Sequence, residues 1–142
     1  MQSRHPSSLL ALDVGGRRIG VALADLQARI AHPLTTLQRS DNTVHDIQAL
    51  VDAHAVKAIA IGLPRGLDGQ HTAQTVAVEA FWTVLEQALT VPLYWQDEAL
   101  TSRQAEAELQ ARNKPYAKED IDALSATYIL EDFIRDHPEI VS

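Results

Sequence analysis

The chain has 142 residues, of which 46% are hydrophobic and 22% charged, proportions typical of one globular domain with a single core. It contains no cysteine, which excludes disulfides and thiolate metal sites and favours a reducing cytoplasm. We expect neither a secretory signal nor a membrane span, since no run approaches roughly 20 apolar residues. The net charge of −7 argues against binding nucleic acid through bulk charge, so phosphate binding would require local arginines and a divalent cation.

Hydrophobic periodicity predicts five strands and four helices in the order β-β-β-α-β-α-β-α-α. The strands are expected at about residues 8–14, 17–24, 28–37, 56–63 and 91–96. The helices are expected at about residues 42–54, 72–89, 101–112 and 118–136. Three meandering strands, followed by strands that alternate with helices, indicate an α/β fold: a five-stranded mixed sheet with helices on both faces. We expect one domain over residues 1–142, with residues 1–8 and 137–142 frayed.

Individual residues refine this prediction. The pair Gly15-Gly16 between two apolar runs is typical of a β-hairpin turn. Pro33 cannot donate to a ladder, so the third strand is expected at a sheet edge. The continuous apolar run at 56–63 is typical of a strand buried on both faces and paired in parallel. The apolar face of the second helix is predicted to consist of Val76, Phe81, Val84, Leu85 and Leu89.

Acidic residues lie at the ends of three predicted elements. Asp13 ends the first strand, and Asp122 lies in the first turns of the last helix. Asp97 and Glu98 end the last strand. If the first and last strands are neighbours, their carboxyl ends lie close together and the helix can bring Asp122 within reach. Three carboxylates without cysteine or paired histidines indicate a site for Mg²⁺ or Mn²⁺, and two such ions about 4 Å apart can promote phosphodiester hydrolysis.

Each acid also has a purely structural interpretation. Asp13 can cap a glycine turn, Asp122 favours the dipole of its own helix, and the Asp97–Glu98 pair can belong to a solvated loop. Because neighbouring residues of a strand point to opposite faces, at most one of this pair faces the site directly. Glu98 has the longer reach and is the predicted ligand, whereas Asp97 is expected to lie behind it without touching the metal.

Four segments occur in order within residues 9–136. They are Asp-Val-Gly-Gly-Arg-Arg-Ile-Gly-Val-Ala at 13–22, Gly-Leu-Pro at 62–64 with Asp-Gly at 68–69, Asp-Glu-Ala-Leu-Thr-Ser at 97–102, and Asp-Ala-Leu-Ser-Ala at 122–126. Together they resemble the YqgF/RuvX family of pre-16S rRNA nucleases, also called Holliday-junction-resolvase-like proteins. The resemblance implies a ribonuclease H-like fold and a metal-dependent nuclease that matures the 5′ end of 16S rRNA. The acidic residues of the family match Asp13, the Asp97–Glu98 pair and Asp122. With Glu98 taken from the pair for its reach, Asp13, Glu98 and Asp122 are the predicted catalytic ligands of Mg²⁺ or Mn²⁺.

The substrate contacts expected from this resemblance are arginines. Arg17 and Arg18 follow the glycine turn, where guanidinium groups suit bidentate phosphate contacts, although a solvated turn explains them equally well. The family usually carries an arginine directly after the Asp-Glu pair, where this chain has Ala99. Arg103, one turn into the next helix, is the expected substitute. The missing arginine bears on substrate affinity more than on the metal site.

The expected partners are structured RNA, namely pre-16S rRNA, or branched DNA, bound by a monomer or homodimer. One alternative is a Holliday junction resolvase, which requires a symmetric dimer. Another is a nucleotide-binding module, since Asp13 with Gly15 and Gly16 also resembles the phosphate loop of actin and sugar kinases. The third alternative is a catalytically weak nucleic-acid-binding protein of the same fold, which Ala99 and the negative charge favour.

Overall fold

The computed structural model describes residues 7–64, 73–98 and 101–141, with the backbone alone for Glu98 and residues 101–103. The strands are β1 (Ser8–Val14), β2 (Arg18–Asp25), β3 (Ala31–Gln38), β4 (Val56–Pro64) and β5 (Leu93–Glu98). The helices are α1 (Thr43–Ala53), α2 (Ala73–Ala88), α3 (Thr101–Ala111), α4 (Lys118–Asp136) and α5 (Pro138–Val141). Every predicted element is therefore present, and its boundaries shift by three residues at most.

The five strands form one mixed sheet in the order β3-β2-β1-β4-β5. β2 is antiparallel to both β1 and β3, whereas β4 is parallel to β1 and β5. This arrangement confirms the α/β class and the position of β3, which contains Pro33, at a sheet edge. It also shows that the first and last strands are not neighbours, because β4 lies between β1 and β5.

The two faces of the sheet carry side chains of different size. On one face, large residues such as Leu12, Val21 and Ile61 pack with helices α1 and α2. On the other face, α4 packs against a surface made mostly of alanine. The buried alanines of this surface are Ala11, Ala22, Ala24, Ala58 and Ala60. Because alanine side chains are short, α4 approaches the sheet closely, and this approach sets the geometry described below.

The predicted apolar face of α2 is partly wrong. Val76 and Val84 are 59% and 50% exposed. The buried residues of the helix are Thr75, Val78, Phe81 and Leu85. The Thr75 hydroxyl donates a hydrogen bond to the Pro64 carbonyl oxygen at 2.5 Å, which satisfies this polar group inside the core.

The C-terminal end is ordered beyond the last predicted helix. Residues Pro138–Val141 form α5, and Val141 is buried in the same cluster as the α4 residues Ile129 and Phe133. The expectation of fraying is therefore wrong for residues 138–141. No helix within the described ranges is long and apolar enough to cross a membrane.

Helix α3 is fixed to α4 by apolar packing and by one hydrogen bond. Ala105 and Leu109 pack with Leu124. The Tyr128 hydroxyl donates to Glu108 Oε1 at 2.7 Å. Burial raises the pKa of Tyr128 to about 12, and the hydrogen bond to Glu108 contributes in the same direction.

The Tyr128→Phe variant is expected to lose less unfolding free energy than the parent as pH rises into the alkaline range. Because the folded state favours the neutral phenol, this contribution is complete below the ordinary pKa of about 10 and is lost as pH rises through about 12. Urea unfolding at several pH values within this window measures it. Parallel losses of stability in the parent and the Tyr128→Phe variant would contradict the assignment.

Candidate functional site

A tight hairpin turn places Asp13 at the end of β1. The Gly15 N–H donates to the Arg18 carbonyl oxygen at 2.9 Å, which closes the turn between β1 and β2. A Cβ atom at position 15 would lie 2.9 Å from that oxygen, so the close approach favours glycine. Asp13 is partly buried and pairs across the hairpin with Gly20. Since Leu9 and Ala11 lie under α4, the alternation of strand side chains places Asp13 on the same face.

Gly20 is the point at which α4 touches the sheet backbone. A Cβ atom on Gly20 would lie 1.9 Å from the carbonyl oxygen of Asp122 and 2.9 Å from the backbone nitrogen of Ala123. Antiparallel partners such as Asp13 and Gly20 have Cα atoms about 4.5–5.5 Å apart. The backbones of Asp13 and Asp122 therefore both adjoin Gly20, on one face of the sheet. Gly20 was not among the predicted site residues, although the small residues at alternating positions of β2 are a signal of close helix packing.

An ion pair joins two of the predicted site residues. Arg18 Nε donates to Asp122 Oδ2 at 2.6 Å, and the two side chains are 26% and 23% exposed. The hydrogen bond and the negative charge of Asp122 raise the pKa of Arg18 above its ordinary value. Arg18, predicted as a phosphate contact, is therefore bound to a predicted metal ligand in this structure.

Arginines surround the hairpin turn. Arg17 is exposed at its tip. Arg39 was not predicted, but its guanidinium donates to the Gly15 carbonyl oxygen at 3.0 Å and lies 5.0 Å from the centre of the Phe81 ring. Its backbone N–H donates to the Arg17 carbonyl oxygen at 2.8 Å. Arg39 adjoins the turn because β3 pairs with β2, which spacing along the chain does not reveal.

The carboxyl end of β5 lies two strands away from Asp13, on the side of the sheet where the parallel strands β1, β4 and β5 all end. Asp97 is exposed and pairs in register with Leu63. It shares the strand face of Leu93 and Trp95, which pack on the α1–α2 side, and so lies on the face opposite Asp13. Glu98 pairs in register with Pro64, at the alternate position of the strand.

Several predicted features fall outside the described residues. These are the side chains of Glu98 and Arg103, residues 65–72 after Pro64, and Ala99. Among the described side chains, no three carboxylates or histidines lie close enough together to hold a metal ion. Asp13 and Asp122 supply carboxylate oxygens, the donors that Mg²⁺ and Mn²⁺ prefer.

Comparison with known proteins identifies the relatives of the chain. The family model described as "RuvX: Holliday junction resolvase" matches residues 7–136. A protein of Chloroflexus aggregans named "Putative pre-16S rRNA nuclease" is 40% identical over 134 residues, covering 92% of this chain and 94% of that protein. A protein of the same name from Crocosphaera subtropica is 40% identical over 131 residues, covering 89% and 92% of the two chains.

A solved structure shares the fold. It is that of T. thermophilus RuvC in complex with Holliday junction substrate, with a TM-score of 0.53 and 16% identity over 91% of this chain and 95% of RuvC. The ribonuclease H-like fold expected from the four sequence segments is thus confirmed. Because the family model and the relatives span nearly the whole chain, the protein belongs to the RuvX family and is a nuclease, a hydrolase of phosphodiester bonds.

Proposed function

We propose that the chain is a divalent-metal-dependent nuclease that processes the 5′ end of pre-16S rRNA in the cytoplasm. Its catalytic residues are Asp13, Glu98 and Asp122, which bind Mg²⁺ or Mn²⁺. The observation that carries the proposal is the backbone contact between Gly20 and Asp122. This contact brings a helix carboxylate to the sheet face on which Asp13 lies, at the carboxyl end of the central strand.

The alternation of β5 supports Glu98 as the third ligand. Asp97 lies on the face of the sheet opposite Asp13. Because successive positions of a strand alternate between the two faces, position 98 falls on the face that α4 covers. Asp97 then has a supporting role at most. A divalent ion held by these carboxylates would supply Lewis-acid chemistry for hydrolysis of the phosphodiester.

The ion pair between Arg18 and Asp122 gives Arg18 a defined part in this proposal. Two carboxylates close together repel each other, and the Arg18 guanidinium offsets that repulsion by holding Asp122. Arg18 stays beside the site, where it also suits a phosphate oxygen of the substrate. Arg17 at the tip of the turn extends the same positive surface, and Arg103 is the proposed replacement for the family arginine at Ala99.

The relatives' names favour ribosomal RNA, whereas the family description favours a four-way DNA junction. Both substrates are phosphodiesters, and the proposed site discriminates between them only through its surroundings. Junction resolution requires paired nicks by a symmetric dimer. A strict monomer would therefore exclude junction resolution, whereas the RNA substrate, which we favour, is compatible with a monomer or a homodimer.

The test is cleavage by the purified chain with Mg²⁺ or Mn²⁺. End-labelled precursor RNA and a labelled four-way DNA junction are incubated in parallel, with a chelator as the control. We expect metal-dependent cleavage of the RNA near its mature 5′ end. Paired symmetric nicks in the junction by a dimer would favour the resolvase. Binding without cleavage, with either metal, would instead identify a catalytically weak binding protein.

A further inference from the structure

A cavity of about 230 Å³ lies where α3 ends and α4 begins. Its walls come from the last turn of α3, the connection to α4, the first turns of α4 and Pro33 of the edge strand. Pockets for drug-sized ligands have volumes of roughly 300–1,000 Å³, so this cavity fits a single ring system better than a large molecule.

The walls of the cavity are flat and apolar. Pro33, Pro115 and Tyr116 contribute ring surfaces, and Leu109 and Leu124 contribute aliphatic ones. Tyr116 is partly buried and packs against the α3–α4 cluster, so its ring is held in place. Flat apolar surfaces that include an aromatic ring are the usual means of binding an unpaired nucleobase.

Cationic residues also line the cavity. Arg112 and Lys114 both belong to its wall, in a chain whose net charge is −7. The Arg112 guanidinium is paired with Glu108, which fixes its position. The acidic residue of the wall, Asp120, accepts a hydrogen bond from the Ala117 N–H at 2.9 Å and so serves the start of α4. A phosphate group next to a base in the cavity would therefore meet Lys114 and the Arg112 guanidinium, whose charge Glu108 partly offsets.

The cavity and Asp122 belong to the same turn of α4 but to different sides of it. Asp120, Ala123 and Leu124 line the cavity. At 3.6 residues per turn, position 122 projects from the opposite side of the helix, where Asp122 pairs with Arg18. A strand with one phosphate at Asp122 would therefore pass around the start of α4 to reach the cavity.

We propose that this cavity binds an unpaired nucleobase of the substrate strand, outside the proposed metal site. Tyr116 stacks on the base, and Arg112 and Lys114 bind the adjacent phosphate. This inference rests on the proposed nuclease function and specifies which feature of the substrate the chain recognises, namely a single-stranded extension.

The test is fluorescence anisotropy with the full chain and a chelator present, so that no cleavage occurs. The probes are a labelled RNA duplex with a single-stranded 5′ extension and the same duplex with blunt ends. We expect Tyr116→Leu to weaken binding of the extended duplex about 10-fold and to leave the blunt duplex unchanged, since stacking on one base is worth about 1–3 kcal/mol. The matched variant Tyr116→Phe keeps the ring and is expected to bind both probes like the parent.

A second variant keeps the inference testable if Tyr116→Leu does not fold. Lys114→Gln, at an exposed position, is expected to reduce the salt dependence of binding to the extended duplex by one phosphate contact. Equal binding of both probes by the parent and the variants would overturn the inference. A changed oligomeric state in the variants would also overturn it, because the cavity would then hold another copy of the chain. A parent that cleaves RNA while the variants bind normally refutes this inference alone. A parent that binds neither probe refutes the proposed function as well.

Discussion

The Asp13→Asn variant is expected to cleave precursor RNA at least about 100-fold more slowly than the parent chain while keeping its fold. Residues that only orient metal ligands typically contribute 10–100-fold in activity, so loss of a ligand should cost at least as much. Asparagine has the shape of aspartate but lacks the charge that holds a divalent cation. Because shape is retained, the urea midpoint is expected to change little.

The matched control is Asp52→Asn. Asp52 is an exposed residue of α1 and accepts a hydrogen bond from Gln48 at 2.9 Å, away from the hairpin turn. The Asp52→Asn variant changes the net charge by the same amount as Asp13→Asn and is expected to cleave at the parent rate. Initial rates at saturating Mg²⁺ compare the three proteins. An Asp13→Asn variant that cleaves as fast as the control would remove Asp13 from the site.

The Gly20→Ala variant is expected to lose about 3 kcal/mol of stability or more, together with most of its cleavage activity. The added Cβ atom would meet the Asp122 carbonyl oxygen at 1.9 Å and the carbonyl carbon at 2.3 Å. Both are backbone atoms, so no side-chain rotation relieves the clash and α4 must move away from β2. That movement separates Asp122 from Arg18 and from the face that carries Asp13.

Gly16→Ala provides the comparison for this prediction. A Cβ atom on Gly16 would have no heavy atom within 4 Å, although this glycine lies only four positions before Gly20. Urea unfolding and metal-dependent cleavage are measured for both variants. Similar unfolding midpoints for the two would mean that α4 does not depend on the contact at Gly20.

Local sequence signals were sufficient for the order of the elements and for part of the topology. Pro33 indicated an edge strand, and the apolar run of β4 indicated a strand paired in parallel; the sheet has both features. The assumption that β1 and β5 are neighbours was wrong. A helical crossover connection is compatible with more than one order of the parallel strands, so the sequence alone does not fix which strands are adjacent. β4 lies between β1 and β5, so the ends of these two strands are two strand positions apart.

The error on α2 has a different cause. The apolar residues Val76 and Val84 were assigned to the buried face by hydrophobicity alone. The helix instead buries Thr75, whose hydroxyl has a hydrogen-bond partner in the Pro64 carbonyl group. A polar side chain with a partner in the fold can occupy a core position, and single-sequence periodicity does not reveal that partner.

The candidate site shows the same division between local and long-range information. The sequence identifies Asp13 and Asp122 as candidate site residues because each is an acidic residue within or next to an apolar segment. The ion pair from Arg18 to Asp122 joins residues 104 positions apart, and the contact at Gly20 depends on how closely α4 packs. Both features arise from tertiary packing on the alanine-rich face, which only the folded chain reveals.

The most direct test of the proposed metal site is a crystal of the chain soaked in Mn²⁺, with anomalous scattering used to locate the ion. We predict a manganese ion bound jointly by carboxylate oxygens of Asp13, Asp122 and Glu98. Manganese bound only at other acids, or absent from these residues at a concentration that supports cleavage, would contradict the account.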